Sequence, residues 1–341
     1  MLSKLLYSLL PCLRMEEKYA LDNGSKLLED LIASCDGKSN PIRHYSADEL
    51  VRATNNFHPS CRISGGYDLY KGFLDNRLVM INCVETSTLH ERWRDMAIRD
   101  IIISMQMSAH KNVLKLLGCC LEFHVPALVH EYAAKGVLNS EGGYGDNESL
   151  PWKTRLRIAK QLANAITYLH TAFPRPIIHR NLKPSCIFLD HDFSPKLCDF
   201  SRSMTIPPEQ SHVIESARSG TVGYLEPAFG YVTEKTDVYS FGAILLVFLS
   251  GQIPYQVYQA GEDFDLASYA KLHASDDQFH TIVDPKILEE LKGEDEQAQQ
   301  QQLHDFLALA LLCTQFESER RPDMIDVAKE LVRIEKSINP C

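Results

Sequence analysis

Apolar residues recur at helical spacing through residues 152–170, where Leu156, Ala159, Ala163, Ile166 and Leu169 form one stripe; this predicts a long helix buried on that side. Residues 88–107 repeat the pattern with Trp93, Met96, Ala97, Asp100 and Ser104 on one face, so a carboxylate is predicted among apolar neighbours, where a lone charge is unusual. At the start of the chain Leu2, Leu5, Leu6, Leu9, Leu10 and Leu13 share a helix face. That stripe needs a cover, and its own domain, a membrane or a partner would each serve. Asn23-Gly24 and Asp36-Gly37 are turn signals around Leu27, Leu28, Leu31 and Ile32, which predicts a short separate helix. Ser46-Ala47-Asp48-Glu49 is a capping box opening a helix that ends at Asn55-Asn56. Residues 78–84 and 127–132 are apolar and β-branched enough for strands. In residues 177–190 an apolar pair, a polar cluster and Ile187-Phe188-Leu189 predict a buried strand, a turn and a second strand. The C-terminal stretch, residues 266–338, is helical by pattern, with a Gln-rich run at 297–302 read as a solvated helix face or loop.

Composition narrows the class. At 341 residues and 45% hydrophobic content the chain can build one large domain or two lobes around a substantial core. A formal charge of −10 disfavours a nucleic acid partner. Ten cysteines lie at irregular spacings without a Cys-x-x-Cys pair, so they read as reduced, buried thiols of a cytoplasmic protein rather than as a disulfide framework or zinc site. The longest apolar candidate, residues 243–249, falls well short of the roughly 18 residues of a membrane span. The N-terminus lacks a signal-peptide cleavage site, Leu2 excludes myristoylation, and Cys12 is a candidate for palmitoylation.

The cluster His179-Arg180-Asn181-Leu182-Lys183-Pro184-Ser185-Cys186 resembles the catalytic loop of protein kinases, His-Arg-Asp-Leu-x-x-x-x-Asn. The resemblance implies that Asn181 stands where the proton-accepting Asp belongs, and an amide takes up no proton near neutral pH. It also implies that Cys186 replaces a magnesium-binding Asn, and a neutral thiol is a poor ligand for a hard cation. The other kinase motifs follow in order. Gly65-Gly66 reads equally as a simple hairpin turn or as a phosphate loop that is one residue short and lacks its third glycine, with Asp68 nearby; Asn82 replaces the phosphate-binding Lys, with Lys71 or another Lys as candidate substitutes. Asp100 falls where the family places the Glu that pairs with that Lys. His130 and Glu131 fall at the back of the nucleotide pocket and the hinge. Asp199-Phe200-Ser201 resembles the Asp-Phe-Gly segment and keeps the metal-binding Asp. Residues 220–227 match the substrate-docking end of the activation segment, but Ala228 replaces the Glu that pairs with an Arg, here Arg321, so that ion pair is expected to be missing. Thr236-Asp237-Val238-Tyr239-Ser240-Phe241-Gly242 resembles the central helix of the large lobe, with Asp237 bonding the catalytic-loop backbone.

The fold implied is α+β, a bilobal protein kinase. Its parts would be an N-terminal extension with the leucine stripe at 1–44, a small β-rich N-lobe with one main helix at 45–130, and a larger helical C-lobe at 131–341. A general base is worth roughly 10²- to 10⁴-fold, and here base, cation, one metal ligand and a loop glycine are all altered. The catalytic positions Asn181, Cys186, Asn82 and Asp100 are therefore read as degenerate. A residual nucleotide site would use Gly65, Gly66, Asn82, Glu131 and Asp199, with Asp199 the metal ligand; no cofactor is required, and the substitutions argue against ATP and magnesium. Asp22-Asn23-Gly24-Ser25, the run Leu116-Leu117-Gly118-Cys119-Cys120-Leu121-Glu122, similar to wall-associated-kinase-like proteins, and Tyr168-Leu169-His170-Thr171-Ala172-Phe173-Pro174 carry a closer resemblance. It is to the plant receptor-like cytoplasmic kinases of class XII, a pseudokinase group whose members include one required for immunity triggered by the HopZ effector. This resemblance implies an adaptor that binds a coiled-coil, nucleotide-binding, leucine-rich-repeat (NLR) immune receptor. It would recruit receptor-like cytoplasmic kinases modified by bacterial effectors, in the cytoplasm or peripherally at the plasma membrane, with membrane contact through residues 1–13. The competing readings are an atypical Ser/Thr kinase using Asp199 and a displaced Lys, and a scaffold that binds ATP without turnover.

Overall fold

The computed structural model describes residues 2–35, 42–63, 68–84, 91–145, 148–215, 219–227, 230–254, 257–259, 262–274, 278–291 and 296–337. The chain divides into two compact units, residues 1–134 with 198–201, and residues 135–197 with 202–341.

The first unit opens with helix α1, Leu2–Cys35. It runs unbroken through Asn23-Gly24, against the turn that this dipeptide predicts. The reason is tertiary: the Asn23 amide is buried and donates to the carbonyls of Leu121 (2.8 Å) and Phe123 (2.9 Å), so a residue that favours turns in isolation instead anchors a helix. Leu27 beside it is buried against Ile98, Ile101, Ile102 and Leu116. The leucine side chains at positions 2–13 lie outside the described residues. A five-stranded sheet follows. Its strands β1 (Arg43–His44), β2 (Leu69–Leu74), β3 (Arg77–Asn82), β4 (Leu116–Cys120) and β5 (Ala127–Glu131) stand in the order β1-β4-β5-β3-β2. Only β1 pairs parallel, with β4, and Gly118 permits it: a Cβ there would sit 2.2 Å from the Arg43 carbonyl oxygen. Helix α2 (Ala47–Ala53) carries the capping box read from Ser46 and Glu49, and buries Leu50 against Val79, Ile81 and Val129.

Helix α3 (Glu91–Gln106) buries Asp100 and Ser104 as the pattern requires, along with Ile98, Ile101 and Ile102. Trp93, placed on the same face by periodicity, is instead 41% exposed. It lies in the first turn of the helix.

In the second unit, α4 (Trp152–Thr171) buries the five-residue stripe, and α5 (Glu234–Ser250) is apolar all round and buried along nearly its whole length, as a central helix must be. Gly251 closes α5 in the left-handed conformation (φ 65°). Helices α6 (Leu266–Leu272), α7 (Pro285–Glu290), α8 (Glu296–Cys313) and α9 (Met324–Lys336) complete it. The Gln-rich run lies on α8 and faces solvent through Gln300 and Gln301, but Gln302 is buried, accepting from Trp152 Nε1 (2.7 Å) and donating to the Ile334 carbonyl (2.6 Å). Short strands frame the predicted loop: β6 (Gly136–Val137), β7 (Ile177–Ile178), β8 (Ile187–Leu189), β9 (Pro195–Leu197), β10 (Met204–Thr205), β11 (Val213–Ile214) and β12 (Tyr231–Val232). They pair as β6-β8-β9, β7-β10 and β11-β12. Every described cysteine side chain is a free thiol, and all but Cys61 are buried. Among the described residues no helix is long and apolar enough to cross a membrane.

Candidate functional site

The loop between β7 and β8 takes its shape from below. Asp237, fully buried in the first turn of α5, accepts the amides of His179 (2.7 Å) and Arg180 (2.8 Å) and lies 2.9 Å from His170 Nε2. These bonds stabilise Arg180 at φ 67°, a left-handed conformation uncommon for a side chain of this size. Asn181 follows, nearly buried, and its Oδ1 accepts from the Thr221 hydroxyl at 3.0 Å. Cys186 is buried five residues on, its thiol donating to the Asn181 carbonyl at 3.2 Å. Asn181 and Cys186 are thus brought together, but as an amide and a thiol engaged in the loop's own bonding.

The first unit holds the other predicted positions. Asp199 adopts φ 64° and accepts from the Ser201 hydroxyl at 2.5 Å. Asp100 Oδ1 accepts from Ser104 Oγ (3.1 Å) and from the Phe200 amide (3.2 Å). Burial, with the nearby charge of Asp199, pushes the Asp100 carboxyl up to about 7. Among the described residues no hydrogen bond joins Asp100 to Asn82; the inward carboxylate serves the Phe200 backbone instead. Asn82 ends β3 half-buried. The Lys71 ammonium lies over the Tyr132 ring, 5.4 Å from the centroid. The Glu131 carboxylate accepts the Lys115 amide at 3.1 Å, and His130 is buried, which lowers its imidazole to about 4 and keeps it neutral. Asp68 accepts from Arg62 at 3.3 Å. Gly65 and Gly66 lie outside the described residues.

Protein kinases hold magnesium through oxygen donors and the phosphates through a Lys. Within the first unit the matching positions hold one carboxylate tied to a serine, a second carboxyl displaced toward its neutral form, and an amide in place of the Lys.

One expectation is overturned. The Arg321 ion pair is present: its Nη1 bonds Glu226 Oε2 at 2.5 Å, and the guanidinium also donates to the carbonyls of Gln315, Phe316 and Lys235. Glu226, two residues before Ala228, supplies the carboxylate and accepts from Thr236 Oγ1 at 2.6 Å. Ala228 lies outside the described residues. Sequence reading sought the acid at the family's position; a Glu immediately before Pro227 was the available signal.

The protein kinase domain model matches residues 68–333. The chain is 43% identical to the non-functional pseudokinase ZRK2 of Arabidopsis thaliana, over 94% of this chain and 90% of that protein. It is 43% identical to the non-functional pseudokinase ZED1 of the same plant, over 95% and 98%. It is 41% identical to the serine/threonine-protein kinase ZRK1, over 94% and 93%. With the motif order intact from Asp68 to Arg333 and relatives aligned along almost their whole length, the chain belongs to the protein kinase family, in its plant receptor-like cytoplasmic kinase class XII group.

Proposed function

We propose that this protein is a catalytically inactive pseudokinase that acts as an immune adaptor. In this reading it binds a coiled-coil NLR receptor through the receptor's leucine-rich repeats and recruits effector-modified receptor-like cytoplasmic kinases. It requires no nucleotide, works in the cytoplasm, and touches the plasma membrane peripherally through residues 1–13. The carrying observation is Asn181: an amide occupies the base position inside a loop whose backbone Asp237 still holds in place. A frame kept without its chemistry supports a binding role, and relatives at 43% identity are named non-functional pseudokinases. The retained Asp199 and a relative at 41% identity named a serine/threonine-protein kinase favour a second reading, a weakly active or ATP-binding kinase.

Tagged full-length protein captured from plant leaf extract, with and without bacterial effectors, and analysed by mass spectrometry tests the proposal. Recovery of a leucine-rich-repeat immune receptor together with a second kinase is the expected result. Recovery of neither, with phosphate transfer from ATP by the purified protein, would establish the enzyme reading instead.

A further inference from the structure

Helix α1 is held on its unit at the turns around Asn23. Leu27 is buried against α3, Tyr19 meets the His124 ring edge-on at 5.3 Å between centroids, and Asn23 Nδ2 donates to the carbonyls of Leu121 and Phe123. Asn23 is 1% exposed, and among the described residues its Oδ1 has no hydrogen-bond partner, so the side chain is fixed by its two N–H donors. Next to it stands Gly24, in mid-helix, where glycine weakens a helix relative to alanine. Packing does not demand it: a Cβ at Gly24 would meet nothing within 4 Å, and the backbone there is helical. Asn23-Gly24 is the one Asn-Gly pair in the sequence.

Asparagine followed by glycine is the dipeptide most prone to deamidation, because no side chain shields the next backbone nitrogen. The Gly24 nitrogen, giving its proton to solvent, attacks Cγ of Asn23; the Cγ–Nδ2 bond breaks and the amide leaves as ammonia, closing a cyclic imide. Water then opens the imide. Cleavage at Cγ leaves aspartate, and cleavage at the backbone carbonyl leaves isoaspartate, whose main chain is longer by a methylene. Ring closure needs the Gly24 nitrogen swung to the Cγ side of the Cα–C bond, and a helical ψ of about −42° holds it away. We infer that Asn23-Gly24 is a latent modification site that docked α1 protects, and that deamidation after release bars α1 from docking again. Either product replaces the two donors by a carboxylate facing the Leu121 and Phe123 carbonyls, a buried charge with no partner. Isoaspartate also breaks the helical register. Once α1 is off, Ile98, Ile101, Ile102 and Leu116 lose Leu27 from their cluster, and the modification makes that loss permanent. None of this rests on the adaptor reading.

Peptide mass spectrometry on full-length protein incubated at neutral pH, in native buffer and in denaturant, tests the guard. The denatured chain converts Asn23, and native protein converts it about tenfold or more slowly, the least that two buried hydrogen bonds impose. Leu27→Ala, which loosens α1, converts faster than wild type, and Gly24→Ala, for which there is room, slows conversion in denaturant. Hydrogen exchange tests the return: Asn23→Asp raises the exchange of the amides of 15–35 by about tenfold or more and leaves those of α5 and α8 unchanged. Equal conversion in native and denatured protein, or an Asn23→Asp variant as protected along α1 as wild type, overturns the inference. If Asn23→Asp does not fold, the conversion rates decide: the rising order wild type, Leu27→Ala, denatured chain supports the guard, and equal rates overturn it.

Discussion

Two buried titratable side chains of the first unit pull its pH dependence in opposite directions. His130 protonates near 6.5 in the unfolded chain but only near 4 when folded, because burial disfavours the cation. The unfolded state therefore binds the extra proton first, and stability falls as pH drops from about 6.5 to about 4. Asp100 is the reverse: folding raises its carboxyl to about 7, so stability falls as pH rises from about 4 to about 7. Asp100→Asn should flatten the decline seen as pH rises toward 7 and His130→Met the decline seen as pH drops toward 4, read by denaturant unfolding across that range; variant curves parallel to wild type would contradict the assignment. At Asn181 the expectation is structural silence. Asn181→Asp keeps an acceptor for the Thr221 hydroxyl, so stability should change by less than about 1 kcal/mol. Radiolabelled ATP should show no transfer, because Asn82 supplies no cation.

Elements were legible where their signals are local. The capping box at Ser46, the stripe of α4 and the strand-turn-strand around Asn181 are all readable from spacing, and they stand as read. What spacing does not carry is a contact across a hundred residues. Asn23 and Gly24 read as a turn because the carbonyls that hold them in a helix belong to Leu121 and Phe123. The Arg321 pair reads as missing because the family's acid position is Ala228, whereas the fold supplies the carboxylate from Glu226 two residues earlier. Asn23→Ala should cost about 1–3 kcal/mol, the scale of buried acceptors left unmade, seen as faster amide exchange along α1 with α5 unaffected. Glu226→Ala should cost about 3–5 kcal/mol, because it strands a fully buried guanidinium; a loss of stability in denaturant unfolding below about 1 kcal/mol would show that the three remaining carbonyl partners of Arg321 suffice.

At the scale of the whole molecule, family membership was readable from the order of motifs, and so was the damage at Asn82, Asn181 and Cys186. The replacement bonding was not, since it appears only once the amide, thiol and carboxyls have neighbours. Ligand linkage is the matching test: at millimolar ATP and magnesium the unfolding midpoint should move by less than about 1 °C, whereas a rise of several degrees would restore nucleotide binding.

Asp237 has one more consequence. Because a carboxylate in α5 sets the path of the loop, side chains along that path can change without the loop losing its shape. A change of side chain at position 181 is then invisible to chaperones and proteases, which respond to unfolding and not to turnover. Substitution at that position therefore leaves a folded surface on which selection for another use can act.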